Sequence, residues 1–486
     1  MSSPLLLGID AGTTAVKVAL YDDELRAVAQ TRRVLQVVHR RPGWVEQDAE
    51  LILDAVIEAV AELLERAEGR EVRAAGLDHQ GESVLAWEAG GRALTPLIVW
   101  QDKRQQGLLA RIGEQAVARS GLPLDPYFSA GKLAWLVEND RTVQRARDDG
   151  TLRLGTLDAF LTDRLGARFA TDLSTASRTQ LLAVGGRDWD EQLLSAFALR
   201  REWLPSLGPS LGALGELRHP RWPAPLALTA QLVDQQAALA GSGAIAPGEL
   251  KATYGTGVFV LGRTREPLMH GRLLPTVAWA MPDAAGQIGE IAHALDGGVF
   301  AAGSLLDWLA EGLGLADDAA ALASSAADVP DSAGVLVLPA LSGLGAPWWR
   351  ADAHGVIAGL HGGVRRGHVA HAALEAIAWR VADIVEAIGE TAPLHSLRVD
   401  GGLTGDATLL QLQADAIGLP LTVGPADTTV LGAALLAGVG VGLFTGIGDA
   451  VQHLPEGRVV APHADASERS PQRERWRAFV QAAASL

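Results

Sequence analysis

The sequence predicts an α/β protein built from two related domains. Its 486 residues exceed the usual ceiling for a single hydrophobic core, so two domains of roughly 200 to 250 residues are expected. Short apolar runs alternate with amphipathic helix patterns, as in layered α/β architectures. A strand, a Gly-Thr turn and a second strand also open each half of the chain, at Leu5–Tyr21 and Lys251–Gly262. We place the domain boundary at the connector 244–248.

The first hairpin carries the clearest chemical signal. An apolar run ends in Ile9-Asp10, Gly12, Thr13 and Thr14 form a turn, and an alternating strand follows. Glycine allows close approach of a ligand, the threonines offer donors, and a carboxylate can hold Mg²⁺ directly or through water. Two interpretations remain open at this point: a cradle for a triphosphate, or an ordinary hairpin with a Gly-Thr-rich tip.

The remaining elements of the first half deliver polar groups to strand ends. Asp48 is the expected N-cap of an amphipathic helix that runs to about Ala67. Buried strands at Ala74–Asp78 and Leu97–Trp100 lead to polar clusters, and a helix is expected around Lys132–Glu138. Near the end of this half, Asp234 and two amides stand just before a small, apolar helix. Ligands collect at strand ends of this kind.

The second half repeats this organisation. A strand and a third glycine turn at Leu397–Gly402 precede the helix Ala407–Ile417, whose N-terminus is suited to approach a nucleotide. Past about residue 462 the composition turns polar, with a short final helix near Trp476 that we expect to carry little function. The other expected elements are helices at Val299–Leu313 and Val369–Glu390 and a strand at Val335–Leu338.

Composition excludes several classes of protein. The formal net charge of -16 argues against a general nucleic-acid binder, and the absence of cysteine excludes disulfides, thiolate metal sites and cysteine nucleophiles. The N-terminal sequence shows no basic segment followed by a long apolar core, which is the pattern of a secretory signal. A cytoplasmic location is therefore expected. The uncharged window Thr428–Gly448 is long enough to span a bilayer, but its six glycines favour a packed internal helix and loop.

Together, the three glycine turns and the motifs around them make the chain resemble the FGGY family of carbohydrate kinases, and within it the glycerol kinases. The resemblance spans about residues 5–445. The matching motifs are Asp10–Thr14 (DAGTT), Pro42–Asp48 (PGWVEQD), Ile98–Gln101 (IVWQ), Asp125–Ser129 (DPYFS), Asp234–Leu239 (DQQAAL), Thr253–Phe259 (TYGTGVF), Leu344–Pro347 (LGAP), Val399–Gly402 (VDGG) and Leu431–Gly438 (LGAALLAG).

This resemblance implies two actin-like (ribonuclease H-like) domains with an interdomain cleft. The N-terminal domain, 1–243, would bind the polyol and carry the first phosphate loop. The C-terminal domain, 244–462, would bind the nucleotide, and 463–486 would form a polar tail with the short helix. The implied substrate is a small polyol or sugar, and the implied assembly is a homodimer or homotetramer. No nucleic-acid or membrane partner is expected.

The implied reaction is ATP-dependent phosphorylation of a polyol, most simply glycerol to glycerol 3-phosphate, with Mg²⁺. Asp234 would be the general base; an N-cap role for this residue stays open at this stage. Asp10 would anchor the metal. The implied polyol contacts are Glu82, Trp100, Tyr127, Asp234, Gln235 and Phe259, of which Trp100 and Phe259 could instead be core residues and Tyr127 a loop aromatic. The implied nucleotide contacts are Thr13, Thr14, Lys17, Thr256, Gly303, Gly402 and Asp406.

Four positions depart from the glycerol kinase pattern. Gly81 stands where arginine usually precedes the polyol-site glutamate, which predicts weaker glycerol binding or room for a longer polyol. Lys17 replaces an arginine and loses its bidentate fork. Asp406 replaces an asparagine near the adenine, and Arg350 replaces an aspartate. A kinase of a tetritol, xylulose or ribulose therefore stays open, and so does an actin-like ATPase without a metabolite acceptor.

Overall fold

The computed structural model describes residues 3–484, and their architecture is that of two α/β halves built on the same plan. The predicted domain limits at residues 1 and 486 lie outside this range. In the N-terminal half a six-stranded sheet has the order β12-β13-β6-β1-β2-β3 and a five-stranded sheet the order β4-β5-β8-β7-β9. The strands of this half are β1 Leu5–Ala11, β2 Ala15–Tyr21, β3 Ala27–Val34, β4 Val38–Arg41, β5 Trp44–Gln47, β6 Val72–His79, β7 Val84–Glu88, β8 Leu97–Ile98, β9 Leu152–Thr156, β10 Ala170–Asp172, β11 Ser206–Gly208, β12 Glu216–Leu217 and β13 Leu226–Val233.

The C-terminal half contains a seven-stranded sheet of order β16-β17-β15-β14-β20-β21-β22 and a two-stranded sheet, β18-β19. No hydrogen-bonded strand pair within residues 3–484 joins the strands before residue 243 to those after it. The strands of this half are β14 Glu249–Tyr254, β15 Val258–Thr264, β16 Leu274–Pro282, β17 Ile288–Val299, β18 Leu336–Leu338, β19 Val356–Ala358, β20 Ser396–Asp400, β21 Leu421–Val423 and β22 Arg458–Val460.

Helices pack against these sheets in both halves. The N-terminal half contains α1 Ala49–Arg66, α2 Gln106–Leu109, α3 Ser129–Asn139, α4 Arg141–Asp148, α5 Leu157–Arg164, α6 Leu173–Ala176, α7 Glu191–Ala196 and α8 Asp234–Gly241. The C-terminal half contains α9 Gly303–Asp307, α10 Ala319–Ser324, α11 Arg366–Gly389, α12 Ala407–Ile417, α13 Thr428–Gly440, α14 Ile447–Ala450 and α15 Ala466–Ala483.

The sequence echo between the halves corresponds to a repeated topology. β1 pairs antiparallel with β2 and parallel with β6, and β14 pairs in the same way with β15 and β20. Both predicted hairpins are therefore present, each with its glycine-threonine tip. Because the third strand runs parallel to the first, its carboxyl end lies beside the hairpin tip and brings its polar residues there.

Helix α13 forms the first 13 residues, Thr428–Gly440, of the uncharged window Thr428–Gly448. It lies inside the protein, against α8 and the strands β1 and β6 of the other half. The contact is close because glycines face backbone on both sides: a Cβ at Gly76 or Gly432 would collide with the carbonyl oxygens of Ala433 and Ala237. No helix within residues 3–484 is long and apolar enough to cross a membrane.

Predicted element boundaries are accurate where capping signals are strong. Asp48 caps α1 by accepting from the amides of Glu50 and Leu51, and α12 spans the predicted residues. The helix predicted from Val299 begins only at Gly303, because Val299 ends β17, and it continues as a π-helical turn, Trp308–Gly312.

The C-terminal segment corrects a second expectation. The predicted short terminal helix is the 18-residue α15, and the Trp476 ring is buried in the C-terminal core. Its Arg473 binds the buried Asp383 of α11 at 2.5 Å. Arg350 pairs with Asp352 at 2.9 Å and donates to the carbonyl of Ala484, so it also holds this segment in place. The segment is therefore part of the C-terminal fold.

Candidate active site

Two carboxylates meet at the carboxyl ends of parallel strands. Asp10 on β1 pairs in register with Asp78 on β6, and both are buried. No N–H or O–H donor within residues 3–484 reaches either carboxylate oxygen of Asp78, while the carboxyl of Asp10 is close enough to share a proton with it. Burial raises the pKa of Asp10 to about 6, against the lowering effect of Lys17. Burial and the charge of Asp10 raise the pKa of Asp78 well above its usual value.

This carboxylate pair fits a divalent cation. Two like charges in a dry site favour either a shared proton or a bound metal ion. The described part of the chain contains no group of three or more side chains that would enclose a metal by themselves. The two carboxylates of Asp10 and Asp78 are a small donor set, which suits Mg²⁺ because this ion keeps several water ligands and takes others from phosphate oxygens.

The first hairpin tip is tied to the aromatic wall of the cleft. Thr13 accepts a hydrogen bond from the indole N–H of Trp100 at 3.1 Å and donates to Gln80 at 3.3 Å. Gln47 in turn donates to the backbone carbonyl of Thr13 at 2.8 Å. Thr14, one residue further, is exposed. The tip is therefore held by Thr13 and presents Thr14 outward.

Lys17 is engaged in an ion pair with the other half of the molecule. Its ammonium lies 2.6 Å from the carboxylate of Asp427, which directly precedes α13, and both side chains are about one-third exposed (37% and 35%). Lys17 is also the register partner of Asp10 across the hairpin. It is thus near the carboxylate pair, and a phosphate would have to compete with Asp427 for it.

Glu82 occupies a strained turn beyond β6. Its φ is 57°, in the left-handed region that residues other than glycine seldom adopt, and the amide of Ser83 donates across it to the carbonyl of Gly81 at 2.7 Å. Strain of this kind persists where the surrounding contacts enforce it, and it clusters at functional sites. Glu82 is nevertheless 4% exposed, so its carboxylate is fixed inside the cleft.

Two aromatic rings lie near this carboxylate. The Trp100 and Tyr127 rings meet edge to face, with centroids 5.7 Å apart, and both are half-buried. The fully buried Lys132 holds the Tyr127 loop by donating to three successive carbonyl oxygens, those of residues 126–128. Burial and the neighbouring Glu82 raise the pKa of Tyr127 well above its usual value, so this phenol stays protonated and can donate a hydrogen bond. Phe259 lies half-buried on β15.

Asp234 begins α8, but it does not cap the helix. The N-cap position is Val233, and the Asp234 carboxylate accepts only from the adjacent amide of Gln235, at 2.7 Å, within the described residues. Burial raises the pKa of Asp234 to about 7, assisted by the charges of Glu82 and Asp10 and opposed by Lys251. A carboxylate that titrates near neutral pH suits a general base. The ammonium of Lys251 also donates to Gln235 at 3.3 Å.

The second hairpin tip and the third turn lie beside each other, because β14 and β20 are parallel neighbours. Thr256 is exposed at the tip, and its carbonyl accepts from the amides of Ala302 and Ser304, at 3.0 and 3.1 Å. Gly303 packs on this tip: a Cβ there would lie 2.7 Å from the carbonyl oxygen of Gly255. Its lack of a side chain is therefore already required by the protein itself, whether or not a nucleotide lies nearby.

Gly402 and Asp406 follow the third strand, β20. Gly402 is exposed, and a Cβ there would have no atom of residues 3–484 within 4 Å, so the surface beside it is open. Asp406 caps α12, accepting from the amide of Leu409 at 2.8 Å. Its carboxylate is thus occupied by a helix N-terminus, which also explains why an acid is tolerated there.

Four residues of this site were not predicted: Asp78, Arg178, Lys251 and Asp296. Asp78 could have been found, since it precedes the polar cluster that ends β6 and so lies beside Asp10. Lys251 is a charged residue inside a strand, which is itself a signal. Arg178 and Asp296 come from segments with no recognisable motif, and only the tertiary fold brings them to Glu82.

Comparison with known proteins decides the family. The N-terminal domain of the FGGY family of carbohydrate kinases matches residues 5–241, and its C-terminal domain matches residues 250–441. The chain belongs to the FGGY family of carbohydrate kinases. Its two-domain fold, actin-like with ribonuclease H-like halves, is the fold of that family. Its class of activity is phosphoryl transfer to an alcohol group.

Individual relatives give the same result in more detail. The chain is 41% identical to a glycerol kinase of Geobacter sp. (strain M21) over 453 residues, 90% of each protein. It is 38% identical to a glycerol kinase of Halorhodospira halophila over 497 residues, which cover 99% of this chain and 96% of that one. Among solved structures, a Plasmodium falciparum glycerol kinase with ADP superposes with a TM-score of 0.91 at 28% identity, covering 99% and 98% of the two chains.

Proposed function

We propose that this protein transfers the terminal phosphoryl group of Mg-ATP to glycerol, giving glycerol 3-phosphate. The observation that carries the proposal is Asp234, a carboxylate whose pKa is raised to about 7 beside Glu82 and Asp10. It stands between a polar-aromatic pocket and a carboxylate pair suited to a metal ion. The glycerol kinases at 38–41% identity support glycerol as the acceptor.

In this proposal the N-terminal domain, 1–243, holds the acceptor. Glu82 and Gln235 bind hydroxyl groups, and Trp100 and Tyr127 cover the carbon edge and exclude water. Phe259, on β15 of the C-terminal domain, completes this cover from the other side. Asp234 orients the attacking hydroxyl and accepts its proton as the bond to phosphorus forms. Because alcohols are weak nucleophiles and the transition state is loose, orientation by this carboxylate contributes as much as its basicity.

The C-terminal domain, 244–462, holds most of the nucleotide. Thr13, Thr14 and Lys17 on the first hairpin and Thr256 on the second face the phosphates in this proposal, with Gly303, Gly402 and Asp406 beside the nucleoside. Asp10, supported by Asp78, holds Mg²⁺, which when bound neutralises developing charge on the transferred group. Lys17 exchanges Asp427 for a phosphate oxygen.

The assembly and location are also part of the proposal. We expect a homodimer or homotetramer that acts in the cytoplasm on a small polyol, without nucleic acid or membrane partners. The net charge of -16 supports the exclusion of nucleic acid. Light scattering of the native protein during gel filtration measures the mass, and a mass of one chain would contradict this expectation.

One assay tests the reaction and its acceptor. ADP release from Mg-ATP is measured with glycerol, erythritol, xylitol, ribulose or xylulose, and with no acceptor. We expect glycerol to give the highest kcat/KM and turnover without acceptor to be at least about 100-fold lower, because a closed cleft excludes water. Preference for a ketose or tetritol would move the proposal to those substrates, and turnover indifferent to every acceptor would indicate an actin-like ATPase.

A further inference from the structure

Arg178, just beyond α6, places its guanidinium between the two halves of the molecule. Its side chain is 5% exposed. Nε donates to Oε1 of Glu82 at 2.8 Å, and Nη2 lies 2.9 Å from Oδ2 of Asp296 on β17. Glu82 belongs to the N-terminal half and Asp296 to the C-terminal half. Arg178 therefore links the carboxylate assigned to the polyol with the sheet of the opposite domain.

The third guanidinium nitrogen of Arg178, Nη1, has no partner in the described part of the chain. Nη1 of Arg178 is buried and has no hydrogen-bond acceptor within residues 3–484, and the same range offers no partner to Oδ1 of Asp296. A buried charged donor without an acceptor is costly, so such groups are normally satisfied by a partner, a water or a ligand. The two N–H bonds of Nη1 can each donate to a hydroxyl oxygen.

The backbone beneath Arg178 is fixed by the contact between the halves. The preceding residue, Ser177, shares a hydrogen bond with the hydroxyl of Thr276 at 2.9 Å and accepts from the amide of Val277 at 3.0 Å. Gln236 donates to the same Thr276 hydroxyl at 2.9 Å. The hydrogen bonds of the Ser177 hydroxyl thus fix the chain next to Arg178, and the carboxylates of Glu82 and Asp296 hold its guanidinium. A group that recognises a substrate needs this rigidity.

The charge of Arg178 is secure. Burial lowers its pKa, but the nearby Asp296 and Glu82 outweigh burial and keep the pKa above its usual value. Its Cζ also lies 5.8 Å from the centroid of the Phe128 ring, next to Tyr127. The guanidinium therefore shares its surroundings with the aromatic wall and the carboxylate of the acceptor pocket.

We propose that Arg178 is a substrate-binding, specificity-determining residue: its Nη1 donates to a hydroxyl group of the polyol and supplies the guanidinium contact that Gly81 cannot. This inference rests on the proposed function. Its Nη2 contact with Asp296 links acceptor binding to the relative position of the two halves. Gly81 is consistent with this role, because a side chain there meets Val233 and cannot simply be added back.

The test pairs Arg178→Lys with acceptors that lack one hydroxyl. The variant keeps the positive charge between Glu82 and Asp296 but loses Nη1. Affinities for glycerol, 1,2-propanediol and 1,3-propanediol are measured by calorimetry, with KM and kcat for glycerol and ATP. We expect the glycerol KM to rise about 10- to 100-fold, the loss of one charged hydrogen bond, while the ATP KM stays within about twofold. The propanediol that lacks the hydroxyl bound by Nη1 should bind wild type and R178K with equal affinity.

Two matched variants separate binding from a purely structural role. Arg380→Lys changes another buried arginine with a carboxylate partner, Asp383, in helix α11; it should lower the melting temperature and leave the glycerol KM unchanged. Asp296→Asn weakens the interdomain pair but keeps Nη1, so the KM values for glycerol and ATP should rise together, whereas R178K should raise the glycerol KM alone. Arg178→Gln provides the same hydroxyl-deletion comparison if R178K does not fold.

Two results would overturn the inference. In one, R178K and R178Q discriminate glycerol from both deoxy analogues as well as wild type does. In the other, the KM values of R178K for ATP and glycerol rise together, as expected for a structural link between domains. If the wild-type enzyme phosphorylates glycerol, either result rejects only the role of Arg178 and leaves the proposed function standing. If the wild-type enzyme has no polyol kinase activity, the proposed function itself is rejected.

Discussion

At the scale of single residues, Asp234 obtains its basicity from its neighbours. Burial is the largest cause of its raised pKa, and the like charges of Glu82 and Asp10 add to it, while Lys251 opposes them. The ionised form is therefore destabilised in the folded protein, which makes it a better proton acceptor than an exposed aspartate. Its half-buried position leaves the carboxylate accessible to a substrate.

The first prediction concerns pH. Only ionised Asp234 can accept a proton, so kcat/KM for glycerol should rise with pH and level off above a pKa of about 7. Glu82→Gln removes a like charge and should move this limb to lower pH; Lys251→Met removes an opposite charge and should move it to higher pH. The measurement is the pH profile of both variants. Limbs that stay in place, or move in the same direction, would contradict the assignment.

The second prediction concerns Gly81. A Cβ at this position would lie 2.7 Å from Cγ2 of the buried Val233, which directly precedes Asp234. Gly81→Arg should therefore displace the base and lower kcat/KM for glycerol by about 10-fold or more, since misplacing a reacting group by about 1 Å can cost about 100-fold in rate. Removing the obstacle in Gly81→Arg/Val233→Ala should restore most of the loss.

The single variant Val233→Ala is the control for this pair. If G81R alone lowers the glycerol KM without loss of kcat, then Val233 does not obstruct an arginine at position 81. In that case a guanidinium at position 81 can bind glycerol, and the assignment of this contact to Arg178 loses support. The structure adds one constraint to the expectation drawn from the sequence: a side chain at Gly81 meets Cγ2 of Val233, while room for a longer polyol beside Gly81 stays a prediction.

The residues that sequence predicted and those it missed differ in a physical way. Asp10, Glu82 and Asp234 are recognisable because each follows an apolar strand within a local motif. Arg178 and Asp296 are brought to Glu82 only by the packing of one half against the other, which no local pattern encodes. Asp406 was matched to a position near adenine, yet its carboxylate is engaged as a helix cap.

At the scale of elements, α13 carries much of the contact between the halves. Gly432 of α13 and Gly241 of α8 meet where the helices cross, so the two backbones come into contact. The sequence predicted an internal helix from the same glycines, but it gave no indication that this C-terminal helix lies on the N-terminal sheet. Placement of that kind depends on contacts between segments about 200 residues apart in the chain, as between Gly432 and Ala237.

The third prediction tests this contact. Gly432→Ala places a methyl group against the carbonyl of Ala237, with the amide of Gly241 2.9 Å away, and backbone cannot move aside cheaply. The free energy of unfolding, measured with urea, should fall by about 2–3 kcal/mol. Gly448→Ala is the matched control: a Cβ there meets no atom of residues 3–484 within 4 Å. Equal stability of the two variants would show that α13 is not closely packed.

At the scale of the whole molecule, the two halves share one plan and divide the work. Each supplies a hairpin tip and a parallel third strand. Polar residues of the two halves meet in the Arg178–Asp296 and Lys251–Gln235 contacts. Between them, Arg178, Ser177 and the Lys17–Asp427 pair join the halves through polar contacts. Polar contacts of this kind can be exchanged for substrate groups as the cleft opens and closes.

The repeated plan is the part of the fold that the sequence predicts best. The two hairpins share a motif, Gly-Thr between an apolar and an alternating strand, and that motif specifies its own local structure. The length and packing of the C-terminal helix are what the sequence predicts least well. Most of its residues are polar, yet Trp476 packs into the core. Trp476, Val480 and Ala483 are buried at helical spacing, but this apolar stripe covers only the last two turns of an otherwise polar helix, so the sequence predicts a short helix rather than one of 18 residues.

The most direct test of the account is single-turnover phosphoryl transfer by Asp234→Asn. Wild type and variant are mixed with Mg-ATP and saturating glycerol in a rapid-quench experiment, and ATP binding is measured separately by calorimetry. We expect the variant to bind Mg-ATP within about threefold of wild type but to form glycerol 3-phosphate at least about 100-fold more slowly. Transfer at the wild-type rate would show that the carboxylate of Asp234 is not the base.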